Sequence, residues 1–351
     1  MTDAAARPAP PAPVSAVQAD AVRHGRLPPV DEVRHGVWSV AFEFGDGIDD
    51  HSLGYVVEGS DGALTVIDPG WGVDANLDRL ESALAEVDHS LADVDLIAVT
   101  HLHADHLGGA EALRRASGAR IALHAAEQRG LATRDRDAVA ADADIARWGA
   151  PAVEQEALVA SWGSGRHLPD VTPDVLLTDG DVLPVAGRLL RAVHTPGHTA
   201  GHLCFVEPEQ RLVFTGDHVL PRINPGIGLG GRTEANPLTD YLASLERMVA
   251  LDVPGPDALE VCPGHEYRFV GLRDRAEVLI THRADRSRDA AAALDLLGPT
   301  SAGGPTVWQV AERMSWSGGI ASLHGYRLGS ALAQTEWHVQ ALGRADELRP
   351  A

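Results

Sequence analysis

Short β-branched runs bounded by Gly, Pro or Asp recur along the chain, and between them lie stretches in which apolar residues return every three or four positions. From GVWSVAFEF onward, the segments LGYVVEG, ALTVIDPG, LIAVT, ARIALH, LLRAVH, RLVFTGD and ALEVCPG read as strands. DANLDRLESALAEV, GGAEALRRAS and PLTDYLASLERMVA read as helices; in the last, Leu238, Tyr241, Leu242, Leu245 and Val249 fall on one face. This mixture predicts α/β layers, and the absence of a fixed-period repeat argues against a solenoid.

Three stretches break the pattern. Residues 1–28 are rich in Ala and Pro with little large apolar content and read as a disordered leader. A polar, helical insertion carrying Trp148 and Trp162 occupies 125–175, inside a main domain of 29–270; it reads as a lid or as extra core. From 271 to 351 the chain is helical again, broken by GPTSAGGP, and reads as a small appended unit.

Composition narrows the function classes. A formal net charge of -21 gives no broad attraction to phosphate backbones or anionic membranes. All 29 basic residues are arginine, which removes P-loop, Schiff-base and general-base lysines from consideration. The two cysteines, Cys204 and Cys262, each lie in an apolar run and read as buried thiols, not as a disulfide framework. No signal-like apolar region or membrane-length run is visible, so a cytoplasmic protein without membrane association is the default expectation.

The chemistry concentrates where apolar runs end. LTVID closes on Asp68, LIAVTHLHADH reaches His101, His103, Asp105 and His106, LLRAVH ends at His194, LVFTGD at Asp217 and LEVCPGH at His265. Strands that stop at one sheet edge bring such residues together in space. The spacing of two places His101 and His103 on one side of an extended segment, while Asp105 and His106 open a helix. Three imidazoles and a carboxylate within six residues suit a borderline-soft divalent cation such as zinc. The turn HTPGH favours a ligand role for His194, whereas His198 and His202 read as structural. No GxSxG elbow offers a serine nucleophile.

VIDPG, THLHADH, HTPGHT, FTGDH and CPGHE, in that order, resemble the metallo-β-lactamase-fold hydrolases over roughly residues 35–270, and PGHEY and FTGD look most like the glyoxalase II branch. The resemblance implies an αββα sandwich with a dinuclear site at one edge. It further implies that His101, His103 and His194 hold one metal and that Asp105, His106 and His265 hold the other. Asp217 would then bridge them, with Asp68 supporting the cluster from behind. Two divalent ions, most simply Zn2+ with Fe or Mn as alternatives, would lower the pKa of a water between them and supply hydroxide. Asp105 and Asp68 are the implied catalytic carboxylates, Asp105 orienting the nucleophile or carrying its proton. The implied reaction is hydrolysis of an acyl bond in a small molecule, a thioester or an ester or lactone, with Arg222 and Arg232 as candidate contacts for a substrate anion.

Two alternatives share these motifs: a mononuclear iron enzyme of the persulfide dioxygenase type, and an RNA-binding or endoribonuclease-like protein. The tail faintly resembles the winged-helix-like extension of the latter branch. From Glu266 to Ala351 the chain carries 10 Arg against 10 Asp plus Glu, however, so strong nucleic-acid binding is not expected and a packing or homodimerisation element is favoured.

Overall fold

In the computed structural model, which describes residues 8–44, 51–162, 168–230, 233, 235–253, 255–299 and 303–351, the strand segments divide between two sheets. The first holds β1 (Asp31–Arg34), β2 (Val37–Glu43), β3 (His51–Glu58), β4 (Leu64–Ile67), β5 (Val94–Ala98), β6 (Arg120–His124) and β7 (Val175–Leu177), in that spatial order. The second runs β12 (Phe269–Val270), β11 (Glu260–Pro263), β10 (Leu212–Gly216), β9 (Leu203–Glu207) and β8 (Arg191–His194). β4, β5, β6 and β7 run parallel, as do β10 and β11.

Both faces of each sheet are covered, which is why the central strands read as nearly unbroken apolar runs. Tyr55, Val57, Ile67 and Ala98 point inward to meet Leu203, Phe205, Phe214 and Cys262 of the facing sheet. Val56, Val66 and Ile97 point outward onto Leu80 and Leu84 of α2 (Asp74–Ala85) and Leu113 of α4 (Ala110–Ser117). On the far side, Cys204, Val213 and Val261 pack against α7 (Pro237–Leu251) and α8 (Leu272–Leu297). The result is the αββα sandwich, followed by C-terminal helices. Both cysteines are free and buried.

The leader differs from its composition-based expectation. Within 8–28, Ala16–His24 forms α1, capped by Ser15; Gln18 is buried, donating to Ser39 Oγ (2.9 Å) and accepting from the Arg268 backbone (2.9 Å). A segment poor in large apolar residues is held here by polar groups of β2 and of the chain entering β12. Composition counts side chains and does not see partners.

The insertion forms α5 (Ala125–Trp148) and α6 (Ala152–Ser161), and the tail continues with α9 (Val307–Arg313) and α10 (Gly325–Ala341). These two distant stretches share one core: Ile145, Trp148, Leu158 and Trp162 pack with Val307, Ala311, Leu328 and Leu332. Glu336 of α10 accepts from Trp148 Nε1 (2.9 Å) and pairs with Arg147. Among the described residues no strand follows β12, so the extension is helical without a β-wing. None of the helices among the described residues is long and apolar enough to cross a membrane.

Candidate metal centre

The ends of β4, β5, β10 and β11 and the turn after β8 meet at one edge of the sandwich. Two sets of donors converge there, His101, His103, His198 and Asp217 in one and Asp105, His106 and His265 in the other, with ligand atoms in each set within 4.8 Å of one another.

β5 stops at Ala98, and the backbone bends at Thr100 and Leu102 before His103, the N-cap of the short α3 (Ala104–Leu107). That geometry brings His101 Nε2 to 2.9 Å from His103 Nδ1 and turns Asp105 and His106 toward the second set. Glycine is required at Gly264, where a Cβ would stand 2.6 Å from the His106 ring and 2.8 Å from Asp217 Oδ1. Asp217 lies between the sets: Oδ2 is 3.6 Å from His198 Nε2, while Oδ1 is 3.4 Å from His106 Nε2 and 3.2 Å from His265 Nε2.

Asp68 adopts φ 53°, an uncommon conformation for a non-glycine residue, and its carboxylate spends every bond on the cluster's frame. It accepts from Thr100 N and Oγ1 (both 2.7 Å) and from His106 Nδ1 (2.9 Å), leaving His106 Nε2 aimed at the carboxylates. His265 is fixed in the same way, Nδ1 against the His51 carbonyl at 3.0 Å.

The electrostatics fit a divalent cation. Burial alone would raise the Asp217 carboxyl, but the charges of His265 and His106 override it and hold it well below the usual carboxylate range. Burial likewise opposes protonation of His106, yet Asp105 and Asp217 raise it well above the ordinary histidine value; His265 behaves alike. In the other set burial dominates: it lowers His101 and His103 and brings His198 to about 4, so these imidazoles are neutral donors. His106 Nε2 and Asp217 Oδ1 are buried without hydrogen-bond partners. Orphaned polar atoms of this kind are rare in a closed core, and nitrogen with carboxylate donors is what zinc-like ions take.

One expected ligand lies elsewhere. His194 stacks on His124, with ring centroids 4.1 Å apart, and its Nε2 bonds the Ala200 carbonyl at 3.0 Å. β8 is an edge strand, and the Thr195–Pro196–Gly197 turn that follows it swings the chain back, so that His198 reaches the cluster four residues later. The donor that the pattern places at the strand end is brought to the cluster by the turn instead. His202 is structural, its Nε2 accepting from the Asp217 backbone at 3.2 Å. Arg222 pairs with Glu266, the residue after His265, at 3.2 Å with half its side chain in solvent, and Arg232 lies outside the described residues.

Two further residues escaped the motif reading. Glu127, fully buried at the start of α5, accepts from Leu102 N (2.8 Å) and Gly201 N, tying the His101–His103 loop to the turn carrying His198; burial raises its carboxyl to about 7, against those bonds. Tyr326, at the start of α10, is 45% exposed. Burial nonetheless pushes its hydroxyl up, and the charges of Asp105 and Asp217 push the same way. Its ring lies against Trp162, with centroids 5.5 Å apart. Phe44 stands 5.9 Å from His265 and 5.8 Å from Trp71.

The family model of the metallo-beta-lactamase superfamily matches residues 47–265. The chain belongs to this superfamily. Among relatives of this metallo-beta-lactamase-family chain is an acyl-coenzyme A thioesterase of Gallus gallus, 32% identical over 222 residues, 61% of this chain and 72% of that protein. A hydroxyacylglutathione hydrolase of Cereibacter sphaeroides is 30% identical over 60% of this chain and 64% of its own length. A solved metallo-beta-lactamase family protein from Thermus thermophilus superposes with a TM-score of 0.69 at 28% identity, covering 89% of this chain and 95% of that one, so the likeness extends past residues 47–265 into the flanking segments.

Proposed function

We propose that this metallo-hydrolase cleaves the acyl–sulfur bond of a small-molecule thioester, with His101, His103 and His198 holding one divalent cation, Asp105, His106 and His265 a second, and Asp217 shared between them. The observation that carries the reading is Asp217, whose two oxygens face the two donor sets separately. Such a cation pair, zinc by the donor chemistry, would supply a hydroxide near neutral pH and a positive charge to polarise the acyl oxygen. Asp105, beside both His106 and His265, would orient the attacking oxygen and pass its proton on to the departing thiolate. Asp68 keeps His106 in a single orientation and tautomer. Tyr326, whose hydroxyl feels the charges of Asp105 and Asp217, would donate to the acyl oxygen. A thioester is favoured because a thiol, with a pKa of about 8.5, leaves far more readily than an alcohol or amine, and because the acyl-coenzyme A and hydroxyacylglutathione hydrolases are among the relatives.

The test is metal analysis of the purified protein followed by turnover of acyl-coenzyme A and hydroxyacylglutathione substrates beside lactones, β-lactams and phosphodiesters. Two zinc-like ions and thioester cleavage abolished by chelation are expected. A single iron with oxygen consumption on a persulfide, or cleavage of RNA, overturns the assignment.

A further inference from the structure

The two donor sets differ in what stands behind them. His106 and His265 are backed by the sandwich itself, through Asp68 and the His51 carbonyl. His103 and His198 are backed by a single short segment, Pro225–Gly230: His103 Nε2 donates to the Leu229 carbonyl at 2.9 Å, and His198 Nδ1 to the Gly226 carbonyl at 2.7 Å. Each such bond fixes the ring's tautomer and leaves the other nitrogen as a lone pair. Those nitrogens, His103 Nδ1 and His198 Nε2, lie 3.2 Å apart in the first donor set.

The segment is pinned from both sides. Its backbone bonds the ligand turn directly, Gly228 N to the Gly197 carbonyl (2.7 Å) and Leu229 N to the His198 carbonyl (2.8 Å). From the other side it is held by the C-terminal helices. Arg283 of α8 donates to the Pro225 carbonyl, and Arg275 donates to the Ile223 and Leu220 carbonyls (both 2.7 Å) just upstream. Gly228 has φ 64°, and the Trp337 ring of α10 fills the place where a Cβ would be. The Leu229 side chain packs into the core shared by the insertion and the tail.

We propose that Pro225–Gly230 is a strap through which the C-terminal helices orient His103 and His198, making Trp337 and Gly228 positioning residues for one of the two cations. This rests on the reading that those histidines hold a cation. The appended helices are therefore part of the metal centre's supporting shell, although none of their side chains belongs to either donor set. Because the strap backs only one set, disturbing it weakens one cation and spares the other.

The experiment titrates the full-length apoprotein with Co2+ and Zn2+ in chelator competition, following the cobalt visible spectrum. Gly228→Ala and Trp337→Leu are expected to weaken one of two cations by about 10–100-fold, the range for lost outer-shell support, to shift the cobalt bands, and to leave the other cation at wild-type affinity. Trp337→Phe, which keeps a ring against Gly228, restores binding. Met314→Ala, in the α8–α9–α10 core and away from the strap, lowers the melting temperature without changing either affinity. Wild-type affinities in both strap variants, parallel loss of both cations, or equal weakening by Met314→Ala overturns the inference. A wild-type protein that takes up no cation is a different failure: it removes the metal reading and the strap with it.

Discussion

The metal rim and the helical cap built from α5, α6, α9 and α10 are opposite solutions to burying residues. At the rim, ionisable side chains are packed without apolar compensation, and their charges answer one another: protons are drawn onto His106 and His265 by Asp105 and Asp217. In the cap, tryptophans supply the burial, and the one histidine enclosed there, His338, is kept neutral; burial first, then Arg283 and Arg286, depress it to about 3. The lesson is that function and cohesion are separated in space yet joined through Leu229 and Glu127, each of which contacts both regions. A rim of this kind gains little from apolar burial, so its geometry depends on what surrounds it.

The separation can be broken experimentally. The largest expected effect belongs to Asp217→Ala, which removes the carboxylate facing both donor sets: metal analysis should show loss of bound cation, and turnover should fall by about 10³-fold or more, equivalent to about 4 kcal/mol. His103→Ala should do the same for its own set, and retention of both metal and activity would refute that assignment. Trp148→Ala attacks the other region. Deleting a buried tryptophan together with its hydrogen bond to Glu336 should cost about 3–5 kcal/mol of stability by denaturant unfolding. The same variant, where folded, should retain its metal content, provided the strap stays in place.

A third prediction uses pH. His338 titrates at about 3 in the folded protein, against about 6.5 unfolded. The unfolded chain therefore binds the extra proton between these values, so this residue's contribution to stability is whole above pH 6.5, declines as pH falls below it, and levels off near 3. The decline is of order 1.4 kcal/mol per pH unit, and His338→Gln should flatten it. Within the metal-free rim His106 and His265 have the opposite sign: their raised values favour folding at low pH, a gain lost as pH rises through their folded values. Protons and cations compete for those two rings, so cation affinity should fall on acidification. The smallest effect is expected for Tyr326→Phe, a loss of one donor hydroxyl: about 10-fold in kcat, or 1.4 kcal/mol, with metal content unchanged. Equal kcat in the two proteins would remove Tyr326 from the reaction.

Much of the rim is legible because each of its words is short. Strand, turn and ligand lie within a few residues, so LIAVTHLHADH and LEVCPGH carry both the element and the chemistry. His194 marks where that legibility stops. Alternation along β8 gives no sign that the ligand comes after the Thr195–Pro196–Gly197 turn, since both His194 and His198 stand in polar, turn-forming surroundings. Tyr326 and Trp337 are harder still: nothing near either of them in sequence mentions a metal, and Trp337 meets the strap at Gly228 only because α10 folds back on the body of the protein.

What the sequence determined by itself was the alternation of apolar runs, the donors at their ends and, through these, the superfamily and the two-layered sheet, because hydrophobic periodicity and turn chemistry act over a handful of residues. Tertiary structure alone decided which histidine completes the first donor set, that residues 16–24 are an ordered helix, and that insertion and tail become one cap leaning on the ligand strap. Those outcomes depend on contacts between residues far apart in the chain, such as Trp148 with Glu336, and pairwise packing at that separation leaves no periodic trace in the sequence.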